Sequence, residues 1–228
     1  MLDSLSLLVL SFQGAILGLL VVSVRRGNAA AAVNALGALV LAVLPTVIEI
    51  VFPSLLGQTV TLDRLTLWLA VAGLLHTLGM LGLYESIWWW DHLTHTLSAA
   101  LVAALLYASI IVALPGSAGW PGVAGALTVV FTFGIGVFWE LVELVAREVG
   151  ERYDIEPVLV HYGWRDTALD LVFNVVGAVV VVVFDLRVFV SVVEQVPAVV
   201  DVLLASGVTV LLGSIAMTLF VVVGPIRS

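Results

Sequence analysis

Eight side chains in the middle of this chain have types and spacing that could do chemistry together. They fall in three stretches: Asp91, His92 and His95 in SIWWWDHLTHTLS, Glu140 and Glu143 in FGIGVFWELVELVARE, and Asp166, Asp170 and Asn174 in YGWRDTALDLVFNVVGA. On a helix, residues three or four apart share a face, so Asp91, His92 and His95 can point one way. Asp166, Asp170 and Asn174 recur every four residues and form one polar stripe about two turns long, ending at Gly177. Carboxylates with imidazole are the donors that zinc, manganese or ferrous iron accept, and helical bundles bind such metals with side chains projecting from several helices. Five carboxylates gathered in partial shelter oppose one another's ionisation unless a cation is present. A divalent metal answers that charge, and protonated carboxylates acting as a relay are the metal-free alternative.

Each stretch also has a plainer reading. Asp91 and Asp166 are candidate helix N-caps, and Trp88, Trp89 and Trp90 a candidate interfacial belt. Glu140 and Glu143 could reach the headgroup region, although a short Glu stem does this poorly, and Asn174 could hydrogen-bond between helices beside Gly177. His76 and His161 are further histidines, the first suited to packing and the second to a solvated loop.

The elements that must position these groups are membrane helices. The chain has 228 residues, 62% hydrophobic and 11% charged, with a mean hydropathy of +1.24, well outside the range of soluble domains. Runs of about 20 apolar residues predict seven spans, over 5–24, 29–52, 65–84, 92–114, 123–146, 166–184 and 198–223. Alternating polar residues of the barrel type are absent, so the expected fold is an all-α polytopic bundle, one transmembrane domain over 1–228 with its site-bearing helices within 85–184. Arg25, Arg26, Arg147, Arg152, Arg165 and Arg227 fall on one side of such a bundle and Arg64 and Arg187 on the other, which predicts an N-out, C-in protein of the cell membrane. That parity puts all three polar stretches at one depth on the cytoplasmic side. Asp3 ahead of the first span, with the Arg pair after it, argues against a cleaved leader. The net charge of -8 argues against a nucleic-acid partner, and the lack of cysteine excludes disulfides and thiolate metal sites.

The D-x-x-x-H of Asp91 and His95, the E-x-x-E of Glu140 and Glu143, and the D-T-x-x-D-x-x-x-N-x-x-G-A that begins at Asp166 resemble the YjdF-like family of uncharacterised inner-membrane proteins. The family's usual Arg after the Asp is His92 here, so the resemblance points to His95 more than to His92. It implies a location for the site and brings no activity with it.

The far halves of the site-bearing helices read LVAALLYASIIVAL, VAGALTVVFTF and VVGAVVVVVF and offer almost no polar group for a through-path. A one-sided pocket suits metal-dependent hydrolysis or transfer on a lipid or lipid-linked substrate. In that reading Asp91, His92, His95, Glu140 and Asp170 ligate, Asn174 ligates or orients a ligand, and Glu143 or Asp166 acts as base. No Ser elbow or phosphate-cradling loop is present. A metal-ion or proton transporter, and a non-catalytic scaffold or sensor, are the alternatives.

Overall fold

The computed structural model describes residues 4–52, 61–119, 122–154, 159 and 163–223, and the elements among them are all helical. They are α1 (Ser4–Arg25), α2 (Ala29–Val51), α3 (Asp63–Leu78), α4 (Trp90–Ala113), α5 (Val123–Tyr153), α6 (Trp164–Val183), a short α7 (Val190–Gln195) and α8 (Pro197–Val223). Seven are long and apolar enough to cross a membrane, α3 counting with the kinked segment Gly79–Leu83 and the helical turn Tyr84–Ser86 that follow it.

α4 is the centre of the bundle. Ala99, Ala100, Ala103, Ala104 and Ala108 are buried along it with Leu101, Leu106, Tyr107 and Ile110. Small residues at helix interfaces are how membrane bundles bring backbones close, since lipid tails supply no hydrophobic drive. The closest approach is to α6 at Gly177, where a Cβ would sit 2.4 Å from the Thr96 carbonyl oxygen and 2.9 Å from the Ala100 nitrogen. α8 is docked on α5 by Ser214, whose hydroxyl donates to the Gly134 carbonyl at 2.9 Å. α1, α2 and α3 pack through Ile16, Ala38, Ala42 and Ala70.

Three boundaries differ from expectation. α5 runs to Tyr153 rather than ending at residue 146; its last turns carry the Arg147–Glu151 ion pair at 2.7 Å, and Asp154 closes it in the left-handed conformation (φ 53°). Charged residues at i,i+4 spacing sustain a helix without an apolar face, which a hydropathy window does not register. α4 begins at Trp90, so Asp91 lies inside its first turn and Trp89 is the cap; α6 begins at Trp164 after Gly163, so Asp166 is likewise no cap. α7 fills a stretch expected to be connection, with Val193 buried against the core.

At the end away from the polar stretches, Tyr107 ties two connections together. Its hydroxyl donates to Asp185 Oδ1 at 2.6 Å and accepts from the Gly119 amide at 2.7 Å, while Arg187 Nε contacts both Asp185 oxygens at 2.9 and 3.0 Å. The opposite end of the bundle gathers the starts of α4 and α6 and the second half of α5.

Candidate metal centre

α4 presents Asp91, His92 and His95 to α6, which answers with Asp170, only 1% exposed. His95 Nε2 is 3.7 Å from Asp91 Oδ1 and 3.8 Å from Asp170 Oδ1, and His92 Nδ1 is 3.8 Å from the same Asp170 oxygen. These separations are too long for N–H···O bonds. They are close to the roughly 3.3–3.6 Å between donors of a tetrahedral centre whose bonds are about 2.0–2.2 Å. One donor atom each of Asp91, His95 and Asp170 fall within 4.8 Å of one another.

Packing fixes this geometry. The missing side chain at Gly177 lets α6 lie directly on α4, two turns below Asp170. Gly136 does the same for Asn174: a Cβ there would stand 2.6 Å from the Asn174 amide nitrogen, and the buried Asn174 is turned toward His95. The His92 ring is stacked on Phe173, centroids 4.4 Å apart and planes 9° from parallel, with Trp88 edge-on at 6.1 Å. The stack holds Nδ1 on Asp170.

The unpaired atoms are the most informative. Asp170 Oδ1, His92 Nδ1, both oxygens of Glu140 and Thr167 Oγ1 are buried with no hydrogen-bond partner. Glu140 comes from α5, 6% exposed, and Thr167 on α6 directs its hydroxyl toward it without closing a hydrogen bond. A buried polar atom left without a partner costs about 1–3 kcal/mol, more when charged, so this concentration around one cluster makes it a candidate site for a further group. The donor set is of hard and borderline type and fits a divalent cation.

The eight residues of the sequence motifs are therefore not equivalent. Asp91, His95 and Asp170 form the tight group, His92 and Asn174 adjoin it, and Glu140 is buried beside it but outside the 4.8 Å set. Glu143 is half-buried and accepts from Trp139 Nε1 at 2.7 Å, and Asp166 is half-buried within electrostatic reach of Glu140. His76 is no ligand, since Tyr84 and Asn34 occupy its two ring nitrogens. His161 lies outside the described residues.

A family model described as a predicted membrane protein, DUF2238, matches residues 7–191. The chain belongs to the DUF2238 family. No curated protein and no solved structure matches it. The matched span of this DUF2238 protein includes every candidate ligand and stops before α8.

Thr94 and Phe173 were not singled out from sequence, although each sits within three residues of a motif position, and Thr167 entered only as the second position of the D-T-x-x-D motif, with no role. Hydroxyls and rings in apolar helices are common, and only the packing of α4 on α6 shows which ones face the cluster.

Proposed function

We propose that this DUF2238 protein is a membrane metalloprotein that holds a divalent cation, zinc, manganese or iron, between Asp91, His95 and Asp170. The observation that carries the reading is Asp170 Oδ1, buried, without a hydrogen bond, and at ligand-to-ligand distance from two imidazoles. His92 or Glu140 supplies a fourth donor, and Asn174 orients His95. The arginine asymmetry supports placing the site on the cytoplasmic side of the cell membrane. The YjdF-like resemblance of the three motifs supports treating them as one unit.

Within that reading the protein acts as a hydrolase or transferase on a lipid or lipid-linked substrate. A bound cation would polarise an acyl or phosphoryl oxygen. Glu140, with both oxygens uncommitted, or Asp166 and Glu143 nearer the surface, would take the proton. The packing beyond the site favours this over transport: Ala103, Ala104, Tyr107, Ala108, Val181 and Val182 form a buried apolar core across the rest of the bundle, and a permeating ion needs polar groups along its route.

Metal content of the purified protein, with thermal stability titrated against zinc, manganese and ferrous iron, tests the site. Bound metal and a rise in melting temperature that His95→Ala and Asp170→Asn abolish are expected. Metal-free protein with no metal-induced stabilisation sinks the reading, and metal flux into proteoliposomes would replace the enzyme by a transporter.

A further inference from the structure

A second polar network reaches Asp91 from behind, through α2, α3 and the break that follows α3. Asn34 Nδ2 donates to the Ala30 carbonyl at 2.9 Å, which turns Asn34 Oδ1 onto His76 Nε2 at 3.0 Å. An amide oxygen only accepts, so Nε2 carries the proton of the neutral ring and Nδ1 is left to accept. Tyr84 Oη lies 2.6 Å from Nδ1 and gives it its single proton. Thr94 Oγ1 is 3.5 Å from Tyr84 Oη, beyond the usual O–H···O range, and donates instead to the Asp91 main-chain carbonyl at 2.8 Å. The Thr94 hydroxyl and Asp91 Oδ1 are also 3.5 Å apart. In this arrangement the protons of His76 and Tyr84 are held by other partners, and the Thr94 hydroxyl lies much nearer the Asp91 main-chain carbonyl than its carboxylate.

The backbone is built to make this chain. His76 and Tyr84 are eight residues apart and would lie two turns apart on a continuous helix. The chain kinks between Gly79 and Leu83, with Gly82 at φ 119°, which folds Tyr84 back over α3, and its ring covers Gly79, where a Cβ would meet the ring. Trp90 Nε1 donates to the Leu75 carbonyl at 3.0 Å and fastens the start of α4 to the same segment.

We propose that His76 is a positioning residue for the cation site: by holding the Tyr84 proton on Nδ1, it keeps the Tyr84–Thr94 pair from donating to Asp91 and leaves Asp91 Oδ1 available to a cation. The inference rests on Asp91 being a ligand. Without the imidazole, Tyr84 turns its hydroxyl on Thr94, whose own O–H becomes the stronger donor and competes with the cation for Asp91 Oδ1.

Zinc affinity, measured by titration calorimetry on the full chain in detergent, separates the outcomes. His76→Leu weakens binding by about tenfold or more, the effect expected for a group behind a ligand. Tyr84→Phe in the same chain removes the misdirected donor, and the double variant returns to within about twofold of the unmutated protein. A purely structural His76 predicts the reverse, a double variant weaker than the single. Unmutated protein with no zinc affinity refutes the site and this inference with it. Zinc binding that His76→Leu leaves unchanged, or that Tyr84→Phe fails to restore, refutes the His76 role alone. Nitrogen-15 histidine spectra of the unmutated chain show one ring fixed as the Nε2–H tautomer; an Nδ1–H ring at His76 overturns the inference without any variant having to fold.

Discussion

Asp170 is where local stability and function pull in opposite directions. Its carboxylate is buried against two imidazoles at 3.8 Å with Oδ1 unpaired, so the cation-free protein bears the cost of a sheltered, unsatisfied group. Asp170→Asn removes the carboxyl at nearly constant volume and offers an amide to His92 Nδ1. The variant gains about 1–3 kcal/mol in chelator and no longer responds to added zinc. Melting curves with chelator and with zinc check both signs, and a variant that melts lower in chelator contradicts the account. The sequence displayed this residue well: an Asp in the middle of a polar stripe on an otherwise apolar helix, four residues from Asn174, has few structural uses. It displayed Glu140 equally well without showing that the carboxylate stands outside the tight donor group. Side chains three or four residues apart on one helix can be grouped from spacing, whereas the distance between groups on two helices depends on how closely the backbones approach.

That approach is a property of elements, and for α4 and α6 it is set at Gly177. Gly177→Ala drives a methyl into the Thr96 carbonyl and the Ala100 amide, both main chain and unable to swing aside. The helices must part, at a cost of about 1–3 kcal/mol, and Asp170 is drawn off His92 and His95. Gly18 in α1 has nothing within 4 Å of a Cβ, so Gly18→Ala is the control. Reduced thermal stability with lost zinc response for Gly177→Ala, and neither for Gly18→Ala, is expected. The far end of the bundle gives an element-scale prediction about pH. Arg187 first, and the Tyr107 hydroxyl second, hold the Asp185 carboxyl below its ordinary range. A folded pKa below the unfolded one stabilises above the unfolded value, near 3.9, and that contribution is lost as the pH falls through the folded one. Asp185 is 43% exposed, so its share is under about 1 kcal/mol. Asp185→Asn lowers the melting temperature at pH 7 and converges with the unmutated chain as pH drops below 4; a gap that persists at pH 3 argues against the ion pair. Helix number and order were legible because 20-residue apolar runs in a Lys-free chain have one physical solution. The kink after α3, the extra turns of α5 and α7 were not, because a glycine pair, an i,i+4 ion pair and a short docked helix leave no hydropathy signature.

For the whole molecule the decisive quantity is the direction of insertion, because it fixes which leaflet and which metal pool the cluster meets. Arg25 and Arg26 at the end of α1, Arg147 and Arg152 at the end of α5, and Arg165 at the start of α6 share the end of the bundle that carries Asp91 and Asp170. Arg64 and Arg187 belong to the other end. Cytoplasmic retention of arginine near span ends therefore predicts a cytoplasm-facing site. The chain has no cysteine, so single introduced thiols report without background. Glu148→Cys, exposed on the last turns of α5, and Ser117→Cys, between α4 and α5, mark the two ends. In intact cells a membrane-impermeant maleimide labels Ser117→Cys and reaches Glu148→Cys only after permeabilisation. The opposite pattern turns the cluster outward, away from cytoplasmic metal and inner-leaflet substrates, and ends the proposed chemistry on that side even if the cation site itself is real.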